Sequence, residues 1–196
     1  ANDPTIVWVP KDLSFTNFAN AINELNYLSA FGLTFFVTVC GVAAILISSS
    51  LVGYGFARFN FFEKNIAFML VIALIIIPPQ TTTISTFLSF RFFDFGGIMT
   101  LLEKIGIGEG YIQLTGGQLA PLTMILPALF ASGIRSGLAI YIFRQFFLGQ
   151  PKELEEAAKI DGCGAFGTFV KVMLPLSSPA IITVSVLSAV WYWNDT

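Results

Sequence analysis

Long stretches without a charge alternate along the chain with short stretches that hold most of the charges. Glu24 and Arg58 enclose 25–57, Lys64 and Arg91 enclose 65–90, Glu109 and Arg135 enclose 110–134, and Lys171 and Asp195 enclose 172–194. About 20 apolar residues cross a bilayer as a helix, so these windows predict four spans, near 31–53, 66–90, 119–143 and 173–194. The apolar runs are continuous rather than alternating with period two, which argues against a closed barrel. The predicted fold class is all-α, a polytopic membrane helical bundle over 31–196, preceded by an extracytoplasmic segment, 1–30.

Two shorter patterns flank the spans. Phe18, Ile22 and Leu25 fall at i, i+4 and i+7 within 14–26, as in a short amphipathic helix lying on the outer surface. Ile98, Leu101, Leu102 and Ile105 repeat the pattern over 98–105. Gly106, Gly108, Gly110, Gly116 and Gly117 follow; with no strand before them they form a turn-rich loop rather than a nucleotide fingerprint.

Composition agrees with a membrane protein. The 196 residues are 55% hydrophobic and 11% charged, against about 25% charged in an average soluble domain, and mean hydropathy is +0.78. A net charge of -2 leaves no basic footprint for nucleic acid. Histidine is absent, which removes the commonest general base and metal ligand. Cys40 lies in an apolar run and Cys163 in a charged loop, so neither a disulfide nor a zinc site is expected. No catalytic residue and no metal site is assigned.

Lys and Arg set the orientation. The loops 54–65 and 144–172 hold Arg58, Lys64, Arg144, Lys152, Lys159 and Lys171, while 1–30 and 91–118 hold only Lys11, Arg91 and Lys104. The first pair of loops is therefore expected in the cytoplasm and both chain ends outside. Residues 1–10 carry no basic leader, and a chain that starts outside without one is read as a fragment.

Polar groups inside the spans are candidate path residues. Pro78-Pro79-Gln80-Thr81-Thr82-Thr83 must kink or break the second span. Either the Thr hydroxyls satisfy freed carbonyls, or the broken backbone lines a water-filled cavity that Gln80 and Thr81 face. Arg135, between Gly133 and Gly137, either snorkels at the outer interface before a late-starting helix or sits within the span and marks a polar cavity. The last span ends in an aromatic belt, Trp191-Tyr192-Trp193, followed by Asn194, a further path candidate. Ser48-Ser49-Ser50 and Gly53-Tyr54-Gly55 are small-residue helix-packing signals.

The loop 144–172 has the most specific pattern. Pro151 suits a first helical position. Glu153, Glu155 and Glu156 favour the positive end of a helix dipole. Leu154, Ala157, Ala158 and Ile160 form an apolar side with small residues on it. Gly162 and Gly164 can stop the helix with a left-handed turn. A second helix is predicted from Ala165 through Phe166, Phe169, Val170 and Met173, with Pro175 at the entry to the last span. Small residues on an exposed helix let a partner backbone approach closely.

These residues carry a resemblance. Glu156-Ala157-Ala158, three residues, Gly162, nine residues and then Val172-Met173-Leu174-Pro175 keep every spacing of the cytoplasmic motif of permease subunits of binding-protein-dependent ATP-binding-cassette importers, with Val172 in place of Ile. Tyr141–Phe147, Tyr54-Gly55-Phe56-Ala57-Arg58 and Trp193-Asn194-Asp195 resemble the carbohydrate-uptake branch, of the maltose-type inner subunit. The resemblance implies a type I importer permease fold and a multi-pass place in a bacterial or archaeal cytoplasmic membrane. It also implies an ATPase-coupling site at Glu156, Ala157, Ala158, Asp161, Gly162, Leu174 and Pro175. The partners implied are a second permease subunit, two ATP-binding-cassette ATPase subunits, an extracytoplasmic solute-binding protein and membrane lipid. No cofactor is implied for this subunit, ATP and Mg being held by the ATPase. Such subunits usually have six spans, of which this chain would hold the second to fifth. An importer for amino acids or phosphate, and a channel or secondary transporter, are the alternatives.

Overall fold

The computed structural model describes residues 20, 22, 24, 26–94, 98–105, 111–116 and 119–195. Most of the expected surface helix over 14–26 and half of the glycine-rich loop 106–117 lie outside these residues.

The helices, in order, are α1 (Tyr27–Arg58), α2 (Lys64–Ile76), α3 (Pro79–Arg91), α4 (Ile98–Lys104), α5 (Leu122–Leu129), α6 (Ser136–Leu148) and α7 (Glu153–Ile160). They are followed by α8 (Ala165–Leu176), which contains a π-helical stretch at Phe169–Met173, and α9 (Ser178–Asp195). Among the described residues, extended pairing is limited to Phe93 and Ile112, which exchange backbone hydrogen bonds of 3.2 and 2.9 Å.

α1 is the hub, packing against α5, α6 and α9, while α2 packs on α6. At 1.5 Å per residue its 32 residues reach about 48 Å, well beyond the ~30 Å of a bilayer core. The helix therefore continues past the expected end at residue 53 and carries Tyr54–Arg58 to the loop side. Gly53 permits the α1–α6 crossing: a Cβ there would lie 2.7 Å from Phe143 Cβ, 3.1 Å from Arg144 N and 3.2 Å from Ile140 O. Ser48 adds a polar tie by donating from Oγ to the Ala128 carbonyl at 2.6 Å. The core around this seam includes Ile45, Phe143, Phe147, Met173, Val184 and Tyr192, all almost fully buried. Outside it, Leu28, Phe35, Ile47, Met69, Leu70, Ile76 and Ile84 are exposed. An apolar surface this large belongs against lipid or another subunit.

Three of the four expected spans are divided. Among the described residues, α1 alone is a single helix long and apolar enough to cross a membrane, and α8 with α9 qualifies only as a bent pair. Over 66–90 the chain forms α2 and α3, separated at Ile77-Pro78; the two prolines break the hydrogen-bond ladder, as their sequence predicts. Over 119–143 the span was expected either to start late, after Arg135, or to contain it; α5 ends at Leu129 and α6 starts at Ser136, directly after Arg135, as in the first alternative. Pro127 inside α5 and left-handed Ala131 (φ 55°) and Arg135 (φ 51°) break the ladder there. α6 then runs past the expected end to Leu148. Over 173–194, residues up to Leu176 belong to α8, and the remainder, α9, is turned from it by 76°. Pro179 has no N–H to bond the Pro175 carbonyl, so the ladder is interrupted there and resumes with the Ile181 N–H on the Ser177 carbonyl at 2.9 Å. The buried Ser177 closes the end of α8 by donating to the Leu174 carbonyl at 2.7 Å.

Candidate functional site

The loop residues gather around the end of α1. Lys152 has helical dihedrals and its carbonyl accepts from the N–H groups of Glu155 and Glu156 at 3.0 and 3.1 Å. The first turn thus opens at Lys152, one residue later than the Pro151 start expected. At the other end, Cys163 N–H donates to Ala158 O at 2.9 Å and Gly162 N–H to Lys159 O at 3.0 Å. With Gly162 at φ +81°, this is a Schellman termination, which needs a left-handed residue at that position. α8 begins at Ala165, so α7 and α8 form a tight helical hairpin.

The hairpin divides its residues between two faces. Leu154, Glu155 and Ala158 turn inward, and Ala158 is buried. Glu153, Glu156, Ala157, Ile160, Asp161 and Gly162 turn outward. The apolar side expected from Leu154, Ala157, Ala158 and Ile160 is therefore split. Ala158 is small because it packs inside the chain, whereas Ala157 lies open beside Ile160, which is 87% exposed. Phe166, at the start of α8, is 70% exposed. A helix tip with an open small residue next to a bare Ile160 and the exposed carboxylates of Glu156 and Asp161, with a bare Phe166 on the following helix, is suited to being gripped by a protein surface. Leu174 is half-buried and Pro175 exposed further along α8.

The inward face contains a feature that the sequence pattern did not single out. Glu155 Oε1 lies 2.8 Å from Arg58 Nε, with both side chains almost out of solvent. Arg58 Nη2 also donates to the Gln150 carbonyl at 2.7 Å. Tyr54, one turn earlier on α1, sits beside both charges. Its ring centroid is 5.1 Å from that of Phe169 and 5.5 Å from that of Phe147. The end of α1 thereby meets α6, α7 and α8 at one joint. Leu51, Tyr54, Phe59, Ala165, Phe166 and Phe169 line a small apolar pocket beside it. The one sequence signal for the pair is a cation ending α1 and an acid opening α7, and Glu153 and Glu156 answer the second description equally well.

Three of the four path candidates are engaged locally. Thr81 donates from Oγ1 to the Pro78 carbonyl at 2.7 Å, satisfying a group that the proline break frees, while the residue remains exposed. The side chain of Gln80 lies outside the described residues. Arg135 is the residue before α6, not within a helix, and its guanidinium stands 4.9 Å from the Trp191 ring centre. Asn194 donates back to the Val190 carbonyl at 2.9 Å. The larger groove between α1 and α9 is lined by residues such as Val39, Val42, Leu46 and Val186, an apolar surface with little to offer a hydroxylated solute. Among the described residues no cluster of acidic or cysteine side chains could hold a metal ion.

Comparison with known proteins matches residues 49–196 to a family described as binding-protein-dependent transport system inner membrane component. An arabinooligosaccharides transport system permease protein of Halalkalibacterium halodurans is 31% identical over 99% of this chain and 60% of its own length. A putative ABC transporter permease protein of Caldicellulosiruptor sp. is 32% identical over 95% of the chain and 58% of its own. A melibiose/raffinose/stachyose import permease protein of Bacillus subtilis is 31% identical over 96% and 60%. The chain thus spans about three-fifths of the length of these curated relatives.

Proposed function

Because the chain belongs to the binding-protein-dependent transport system inner membrane components, we propose that it is part of one permease subunit of an ATP-driven importer for a sugar or oligosaccharide. It would form part of one half of a translocation path in a bacterial or archaeal cytoplasmic membrane, crossing that membrane several times. A second permease subunit completes the path, a solute-binding protein delivers the sugar from outside, and two ATPase subunits bind and hydrolyse ATP with Mg. Relatives named for arabinooligosaccharides and for melibiose, raffinose and stachyose support the substrate class. The observation that carries the mechanism is the α7–α8 hairpin. Its outward face, formed by Glu156, Ala157, Ile160, Asp161 and Gly162, would dock into the ATPase, with Leu174 and Pro175 carrying the motion towards α9.

The mechanism follows from the hairpin's shape. ATP binding draws the two ATPase subunits together, and each pulls the helix tip lodged in it. Residues on α7 need no reactivity for this; they need a fitted surface and a stiff connection. Gln80, Thr81, Arg135 and Asn194 are the path candidates, with Thr81 and Arg135 exposed at breaks between helices. A channel or secondary transporter is the less favoured reading, since the family is one of binding-protein-dependent transport components.

Ala157→Trp tests the reading. It puts a bulky ring on the open face without disturbing the buried Ala158 side, and overpacking of a fitted contact costs about 1–3 kcal/mol. The ATPase subunit should co-purify less well in mild detergent, while the permease itself stays monodisperse. An undiminished yield of attached ATPase, with normal uptake, would remove the docking role.

A further inference from the structure

The outward face explains how α7 is gripped but not how its motion reaches the bundle. α7 is joined through the backbone to α6 by Gly149–Lys152 and to α8 by Asp161–Gly164. α1, which packs on most of the bundle, has no such link to it. α7 itself packs mainly on α8. The long side chains of Arg58 and Glu155 bridge the remaining gap, at 2.8 Å and nearly dry, and the same guanidinium holds the Gln150 carbonyl at 2.7 Å. One arginine at the end of α1 therefore holds both the connection between α6 and α7, at Gln150, and the first turn of α7, at Glu155.

We propose that Arg58 and Glu155 are positioning residues that lock α1 to the α7–α8 hairpin, so that displacement of the hairpin drives α1 as part of one rigid body. Glu155 and Glu156 thereby have separate tasks, Glu155 holding α7 to its own subunit and Glu156 facing outward. This inference rests on the reading of the outward face as the ATPase contact.

The chemistry favours a positioning role over simple stabilisation. Two charges withdrawn from water recover little net stability, because desolvation consumes most of their attraction, and apolar residues of similar volume hold a core at least as well. A buried pair does specify one relative placement, since any slip leaves a charge unpaired. Arginine suits the task because its delocalised charge can pair with the Glu155 carboxylate while a separate N–H of the same group donates to the Gln150 carbonyl. The aromatic contacts of Tyr54 with Phe147 and Phe169 give the joint a packed floor but little directional preference.

The chain carries its own reporters on the two sides of this joint. Cys163 ends the α7 turn and Cys40 lies within α1; both are free and half-buried. In the complete transporter, with its ATPase subunits, the rate of N-ethylmaleimide reaction at each cysteine is read by mass spectrometry, with and without Mg-ATP plus vanadate. In the unaltered protein both rates should shift when Mg-ATP plus vanadate is added. In Arg58→Gln the Cys163 response should persist and the Cys40 response should vanish. A lone neutralisation leaves a buried charge and can impair folding, so Arg58→Gln with Glu155→Gln is run beside it; this pair leaves no orphan charge and should lose the Cys40 response in the same way. A Cys40 response that survives in the doubly altered protein, or that is absent in the unaltered one, overturns the lock. Ala157→Trp separates this from the underlying reading. If it abolishes the Cys163 response the docking face stands whatever Arg58 does, and if it leaves ATPase attachment and both responses intact the docking reading fails first.

Discussion

Replacing Gly162 separates backbone strain from partner contact at the hairpin turn. Gly162 has φ +81°, and a Cβ built there meets no atom within 4 Å. Nothing inside the subunit opposes a side chain, so the cost within the subunit is conformational. A left-handed L-residue costs roughly 1–2 kcal/mol. The loss of unfolded-state freedom on leaving glycine offsets about 0.4–1 kcal/mol of that where the new residue is tolerated. Gly162→Ala should therefore lose about 1 kcal/mol, Gly162→Asn less because Asn accepts the left-handed region, and Gly162→Val more because it is β-branched. A loss of 1–2 kcal/mol depletes the native turn by a factor of about 5–30. Hydrogen exchange at the Gly162 and Cys163 amides, which close the Schellman bonds, reads that depletion in the subunit. ATPase titration reads its effect on docking. Both measurements should rank Gly, Asn, Ala, Val from best to worst. If Gly162→Asn is worse than Gly162→Ala in docking while exchange keeps the expected order, side-chain size against the ATPase governs and the strain argument fails for coupling. If exchange itself is unchanged in Gly162→Val, the turn is not held by the left-handed residue at all.

Other residues give independent tests. Gly53→Ala should lower thermal stability in detergent by about 1–3 kcal/mol, because two of the three atoms its Cβ would meet are backbone atoms of α6; Gly55→Ala, with nothing within 4 Å, should be neutral or gain about 0.5–1 kcal/mol from helix propensity. Ser48→Ala removes the 2.6 Å donor to the Ala128 carbonyl, which keeps the Ala131 N–H at 3.2 Å, and should cost about 0.5–1.5 kcal/mol, read as a lower Tm. With the loops 54–65 and 144–172 in the cytoplasm, a membrane-impermeant maleimide should reach Cys163 in inverted vesicles and not in intact cells; labelling from outside would reverse the orientation.

Much of the architecture is carried by local signals in the chain. The charge-free run 25–57 encodes α1 because nothing within it interrupts helix or apolar surface. The proline pair at 78–79 encodes the break between α2 and α3 because a missing donor acts whatever surrounds it. Gly162 and the spacing around Glu156-Ala157-Ala158 encode the hairpin turn, since left-handed backbone is cheapest for glycine. The break at 130–135 was less legible: its left-handed residues are Ala131 and Arg135, whose local preferences oppose that conformation, and the tertiary packing imposes it. The two faces of α7 were beyond the sequence too. Glu153, Glu155 and Glu156 are the same chemical group within a single helical turn, so composition and propensity cannot tell them apart. Only the rotation of α7 against α8, and the length of α1 that brings Arg58 to meet it, assign one carboxylate to the interior and leave the other two in the open. Burial depends on what lies across the gap, and here what lies across the gap comes from a helix nearly a hundred residues earlier in the chain.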